Sequence, residues 1–299
     1  MQENSFLSLG PHGFHRLAYT DWGNPNNPHV VVCVHGLTRN ARDFDFLAMA
    51  LENDCRVICP DVAGRGQSDW LDHSEDYSYP VYLSDMAALL ARISDGTRVP
   101  RFFARLLGRS SENYLDWVGT SMGGLIGMML AAQPKSPIRR LIMNDVGWLV
   151  PAEALRRLGD YVGKTPRFAS LEEFEANLRK VCAPFGPLTG AQWRHLAIHS
   201  SKKLDDGSYG FKYDPKIGEP FKSGFFQDVD LWKVWEKVRC PVLILRGAES
   251  DLLLRETAVQ MCERKARTEL VEFSGIGHAP MLMSSDQTKV VRDFLLATD

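Results

Sequence analysis

No run among the 299 residues is apolar for long enough to cross a bilayer as a helix. The opening residues Met1 to Ser5 lack the basic segment and apolar stretch of a secretory signal. Six cysteines, at positions 33, 55, 59, 182, 240 and 262, form no C-x-x-C pair. Cys33, Cys59 and Cys240 lie in or beside apolar strand-like runs, where a reduced thiol packs as a small hydrophobe. A cytoplasmic location is the expectation. Charge of one sign is missing too: 35 Lys and Arg against 37 Asp and Glu leave a formal charge of −2, spread along the chain. That excludes the usual footprint of nucleic-acid or anionic-membrane binding. Neither a dinucleotide fingerprint nor a phosphate loop is present, so no organic cofactor is expected. Repeats and low-complexity segments are absent as well. What remains is 44% hydrophobic and 24% charged, enough for one large core plus an inserted subdomain, with a small molecule as the expected partner.

The most informative stretch runs from Asp116 to Gly124. An apolar run, Tyr114 to Val118, breaks into Gly119-Thr120-Ser121-Met122-Gly123-Gly124 and continues as the helical pattern Leu125 to Ala132. Strand, sharp turn and helix follow in direct succession, and the turn matches G-x-S-x-G, the nucleophile elbow. A serine hydroxyl is a weak nucleophile until it is exposed, held still and given a base. Gly119 and Gly123 leave room for strand and helix to meet, and the helix start offers free N–H groups where negative charge would develop.

Around this elbow, strands and helices alternate. Strands are expected at His15–Asp21, His29–Val34, Arg56–Cys59, Ile138–Asn144, Pro241–Gly247 and Glu269–Phe273. Helices are expected at Ala41–Leu51, Pro80–Ile93, Glu256–Lys265 and Asp286–Ala297. The pattern predicts an α/β fold with a mostly parallel sheet and helices on both faces. It stops between about Leu149 and Trp235. There the periods are helical (Ala152–Tyr161, Leu171–Val181, Gln192–His199), with a Gly- and Tyr-containing segment, Asp206 to Tyr213, that reads as a hairpin. Residues 1–148 and 236–299 are accordingly expected to form the core, and residues 149–235 an inserted, mainly helical cap. The basic excursion Gly96 to Asn113 enters at the N-terminal edge of the sheet, far from where ligands bind. It reads as a surface insertion, or else as a contact with a second subunit in a homodimer.

These motifs together resemble the α/β-hydrolase superfamily, in particular its capped members with a serine nucleophile. The resemblance covers nearly the whole chain. It is carried by His35-Gly36, the loop Asp61…Gly64-x-Gly66-x-Ser68, the Gly119–Gly124 elbow, Arg246-Gly247…Ser250-Asp251 and Gly277-His278. It implies hydrolysis of a small carboxylic ester or lactone through an acyl-enzyme. The Ser-Met-Gly-Gly elbow and helical cap are similar to those of meta-cleavage C–C hydrolases as well, and a thioesterase or acyltransferase would differ only in the acyl acceptor. A non-catalytic receptor on the same scaffold is the reading from another class.

Ser121 is the expected nucleophile, and His278, in a glycine-flanked loop after the last strand, its base. Asp251, after the strand Pro241–Arg246, is expected to orient His278, because its Ser-Asp loop matches the commoner family position. Asp145 is the alternative. The backbone N–H groups of Leu37 and Met122 are expected to form the oxyanion hole. His35 is read as structural, and Asp61 and Ser68 as tying their own loop together. Arg39 is a candidate for binding a substrate carboxylate, against an ion pair with Asp43 or Asp61. Trp148 is a candidate for the pocket wall, against plain packing. His195 and His199 have the i, i+4 spacing that can hold zinc, but no carboxylate or cysteine partner is evident, so no metal is expected.

Overall fold

The computed structural model describes residues 1–95 and 114–298. The excursion Gly96–Asn113, and with it any expectation of a second-subunit contact there, lies outside the described residues. In chain order the elements begin with β1 (Gln2–Gly10), β2 (Gly13–Trp22), β3 (His29–Val34), α1 (Asp45–Leu51), β4 (Arg56–Pro60) and α2 (Tyr79–Asp95). Next come β5 (Tyr114–Thr120), α3 (Met122–Ala131) and β6 (Ile138–Asn144). A long inserted segment follows: β7 (Leu149–Val150), α4 (Ala152–Gly159), α5 (Leu171–Val181), α6 (Gly190–Ser200), β8 (Ser201–Lys203), β9 (Tyr209–Phe211), β10 (Val229–Asp230) and α7 (Trp232–Trp235). The chain then returns through β11 (Val242–Gly247), α8 (Arg255–Arg264), β12 (Thr268–Phe273) and α9 (Ser285–Leu296).

One 8-stranded sheet carries the molecule, in the order β1-β2-β4-β3-β5-β6-β11-β12. From β4 to β12 every neighbouring pair is parallel, whereas β2 runs antiparallel to β4 and β1 antiparallel to β2. The α/β pattern is therefore present as expected. Each central strand is apolar on both sides, and its side chains divide between two cores as the pleat demands. Val30, Val32, Val34, Trp117 and Ile244 pack with α2, α3 and α8, while Val31, Cys33, Val118, Leu243 and Leu245 pack with α1 and α9. Cys33, Cys55 and Cys59 are free and buried. Among the described residues no helix is long and apolar enough to cross a membrane.

The N-terminal strand β1 was not legible from the sequence. Its inward positions include Ser8, whose hydroxyl donates to Asp85 at 2.6 Å, whereas Leu7 and Leu9 face outward. Of the apolar residues only Phe6 takes the inward phase, while Leu7 and Leu9 take the other, so the strand lacks a clean apolar alternation.

Two features place the site. After β3 the chain crosses to β4 on one side and later to β5 on the other, so the sheet changes direction between β3 and β5. The carboxyl ends flanking such a switch point leave a crevice. The inserted segment is closed at its base by the antiparallel pairing of β7 with β10, and β8 with β9 forms the hairpin. Its helices bury Phe174, Leu178, Trp193 and Leu196 in a third cluster together with Met281 and Met283 of the chain after His278. The insertion is thereby packed directly onto the loop that carries His278.

Candidate active site

The elbow is dictated by sterics. Ser121 takes φ 52° and ψ −117°, a conformation that L-residues avoid at a cost of roughly 1–3 kcal/mol. A Cβ at Gly119 would stand 2.2 Å from the Gly123 carbonyl oxygen, and one at Gly123 would stand 2.0 Å from that of Val34. Only glycine lets strand and helix approach so closely. The Trp117 indole N–H donates to the Gly123 carbonyl at 3.0 Å, and the Ser121 N–H to the Asn144 carbonyl at 2.9 Å, which locks the turn to its neighbours.

His278 comes from the loop after β12. Its Nε2 is 3.0 Å from Ser121 Oγ, and its Nδ1 is 2.7 Å from Asp145 Oδ2. Asp145 is fully buried; it accepts from the Gly247 N–H at 2.9 Å and from the Ser250 hydroxyl at 2.6 Å. A carboxylate can only accept, so Nδ1 carries the proton and Nε2 has a lone pair for the serine hydroxyl. The Asn144 amide reaches the Thr120 hydroxyl and the Pro280 carbonyl at 2.9 and 2.8 Å, tying the serine turn to the histidine loop.

The contact expected of Asp251 is thus made by Asp145. Asp251 is about half exposed and turns away to the Arg157 guanidinium at 2.5 and 3.0 Å. Its neighbour Ser250 is the residue of that loop that enters the site, as a donor to Asp145. The reason is geometric: the end of β6 lies beneath His278, whereas the turn at 251 has already reached the surface.

Leu37 and Met122 flank the serine. A Cβ added at Gly36 would stand 3.6 Å from Ser121 Cβ, so the loop after β3 runs alongside the nucleophile turn with room for no more than a methyl group between them. Among the described residues neither the Leu37 N–H nor the Met122 N–H is taken by a backbone or side-chain acceptor. His35 is fully buried and locked between the Gly36 carbonyl (Nδ1, 2.7 Å) and the Val62 N–H (Nε2, 3.0 Å). Burial pushes it down to about 3, so it stays neutral. The Asp61 carboxyl accepts from the Ala41 and Gln67 N–H groups, and its burial pushes it up to about 6. The Ser68 hydroxyl donates to the Asp61 carbonyl and accepts from the Ala18 N–H.

A cavity of about 230 Å³ opens over Ser121 and His278, between the sheet edge and the inserted segment. Arg39 lines it, but its Nε and Nη2 both go to Asp43 at 2.8 and 2.7 Å, and its plane lies over Phe185. The bidentate edge considered for a substrate carboxylate is already occupied. Trp148 is not on the wall; it packs edge-on against Trp232 with ring centroids 5.1 Å apart. The sequence reading missed Arg157, Tyr161 and Lys164, which do line the cavity. Arg157 is in the last turn of α4, whereas Tyr161 and Lys164 follow the helix, so helical periodicity alone did not mark the three as one face. His195 and His199 do acquire a carboxylate neighbour, Asp45, 3.5 Å from His195 Nε2. That carboxylate is held by Arg42, and His195 Nε2 bonds the Arg42 carbonyl at 2.9 Å.

Residues 31–293 match the model of the alpha/beta hydrolase family. The chain belongs to that family. This hydrolase is 44% identical over 294 residues to the 3-hydroxybutyrate-oligomer hydrolase of Cupriavidus necator, covering 96% of this chain and 94% of the relative. An alpha/beta hydrolase of known structure from Novosphingobium aromaticivorans is 34% identical, with a TM-score of 0.81 over 98% of this chain and 97% of its own. A solved structure from Rickettsia typhi is 31% identical, with a TM-score of 0.88 over the full length of both chains. The protein is an enzyme that hydrolyses its substrate.

Proposed function

We propose that this hydrolase cleaves esters of short 3-hydroxyalkanoate oligomers through an acyl-enzyme on Ser121. The observation that carries the reading is the unbroken relay Ser121–His278–Asp145 at the floor of the cavity. His278 Nε2 takes the proton of Ser121 Oγ as the oxygen attacks the ester carbonyl. The imidazolium is stabilised by the buried Asp145 carboxylate. The N–H groups of Leu37 and Met122 receive the tetrahedral oxyanion, each contributing about 3 kcal/mol of transition-state stabilisation. His278 then returns its proton to the leaving alcohol, and water repeats the sequence to free the acid. Residues 149–235 act as the cap that closes the far wall.

Two features support the substrate class. The relative that is 44% identical bears the name of such an activity. The cavity wall also brings three cationic side chains, Arg39, Arg157 and Lys164, against one acid, Asp43, which Arg39 engages. A linear hydroxy-acid oligomer always keeps one free carboxylate. Lys164 can meet it at the mouth while the scissile ester lies over Ser121, beside Arg157, whose Nε and Nη2 are held by Asp251.

The direct test measures release of monomer from the linear dimer of 3-hydroxybutyrate. Ser121→Ala should lose turnover by at least ~10⁴-fold while remaining folded. Retention of turnover in that variant would remove the acyl-enzyme reading. A dienone bleached by C–C cleavage, with no ester turnover, would move the bond. Lys164→Ala should raise KM for the free-acid dimer by roughly 5-fold, about the loss of one exposed charge contact, and leave its methyl ester unchanged. Equal effects on both would show that the cations do not read the carboxylate.

A further inference from the structure

The relay makes no use of one charged side chain that sits directly behind it. Arg65, in the loop after β4, is fully buried. Among the described residues no carboxylate lies within 4.0 Å of its guanidinium. An arginine taken out of water without a counter-ion is costly, and such a residue persists only where its surroundings hold it firmly. Its Nε donates to the Leu37 carbonyl at 2.8 Å, and its Nη1 to the Ala63 carbonyl at 2.7 Å and the Tyr82 hydroxyl at 2.9 Å. Nη2 reaches Met122 Sδ at 3.7 Å. The rings of Tyr82 and Tyr77 flank the group, 5.1 and 5.7 Å from Cζ. Every one of these partners is neutral. The buried carboxylate of Asp214 stands behind the Tyr77 ring, accepting from its hydroxyl at 2.5 Å.

Leu37 follows β3 and Met122 opens α3, and theirs are the N–H groups proposed above to receive the oxyanion. We propose that Arg65 is the positioning residue of the oxyanion hole. It grips Leu37 from the carbonyl side and Met122 by its side chain, and it sets a fixed guanidinium against both residues. The inference rests on the reading of Ser121, Leu37 and Met122 given above. In a site with little water, a fixed cation acts on a developing anion far more strongly than on a neutral ester. Its effect therefore falls on kcat and leaves KM nearly alone.

The experiment uses the full chain with Arg65→Met and Arg65→Lys, checked for folding by thermal melting. Turnover of the hydroxybutyrate dimer gives kcat and KM. Two inhibitors give dissociation constants: an alkyl boronic acid, whose boron takes Ser121 Oγ to form a tetrahedral anion, and an unreactive amide of matching length that binds neutral. Arg65→Met should lower kcat by ~10²–10³-fold with KM changed by less than ~3-fold, the scale set by loss of an oxyanion donor. Boronate affinity should fall by a similar factor and amide affinity should hold. Arg65→Lys should recover part of both losses, because the charge returns without the fork. A folded Arg65→Met with unchanged kcat, or one that loses both inhibitors equally, overturns the proposal. Should neither variant fold, Tyr82→Phe removes one partner and keeps the ring. It should lower kcat by roughly 3-fold or more and weaken the boronate more than the amide, and no change there overturns the proposal equally. Wild-type enzyme that takes no boronate, or Ser121→Ala that keeps turnover, removes the serine relay itself and this inference with it. Failure of the Arg65 variants alone leaves that relay standing.

Discussion

Two loops at the carboxyl edge of the sheet each carry an aspartate, and the structure treats them differently. Asp145, just past β6, is fully buried and receives three donors: the Gly247 N–H, the Ser250 hydroxyl and His278 Nδ1. Asp251, just past β11, is about half exposed and is held by a single arginine of the inserted segment. Orienting a histidine requires a carboxylate that cannot move and is shielded from water. Burial with saturated hydrogen bonding meets that requirement, whereas a surface ion pair does not. The β11 loop still matters, because it lends Ser250 to the β6 acid. The site is therefore assembled from both loops, with the charge on one and a supporting hydroxyl on the other.

The sharpest way to break this comparison is to neutralise each acid in turn. Asp145→Asn should lower kcat by about 10⁴-fold, since the amide can present its NH₂ to Nδ1 and favour the wrong tautomer. Asp251→Asn should leave kcat within about 3-fold of the parent, the range of a surface charge remote from the reacting atoms. Steady-state turnover of p-nitrophenyl acetate measures both. The reverse ranking would return the orienting role to the β11 loop. Next in size is Ser250→Ala. It removes the 2.6 Å bond to Asp145 and leaves the Leu252 and Leu253 N–H groups without their acceptor. A cost of about 1–3 kcal/mol in unfolding free energy follows from a buried carboxylate and two amides losing a partner. Urea denaturation measures that loss. A variant as stable as its parent would show that water replaces the hydroxyl.

The same contrast explains what could be read from the chain. The elbow was legible because its demands are local: Gly119 and Gly123 admit no Cβ, and apolar runs on either side set strand and helix. The sheet was legible from alternating apolar segments, each long enough to be covered on both faces. Asp145 could not be ranked above Asp251, because the difference is made by donors at positions 247, 250 and 278, far along the chain from 145. Trp148 and Arg39 sit where chain order suggested, yet their side chains go to Trp232 and Asp43. Arg65 carried no signal at all. An arginine between two glycines in a polar loop reads as solvated charge, and only the packing of α2, β3 and α3 around it reveals a buried one.

The smallest effect belongs to the ion pair that draws Asp251 away. Its side chains are 52% and 38% exposed, so solvent screens most of the attraction and the pair should contribute about 1 kcal/mol or less to unfolding free energy. It nevertheless links the β11 loop to α4, and Arg157 lines the cavity. Asp251→Asn frees that guanidinium without removing it. Stability should barely move, while KM for a free-acid oligomer should fall slightly, by roughly 2-fold, because the released cation can turn to the substrate carboxylate. The methyl ester of the same oligomer is the control and should show no change. A fall in KM for both substrates would instead mean that the pair sets how far the inserted segment sits from the sheet, making Asp251 a hinge contact for the cavity mouth and leaving its charge irrelevant to recognition.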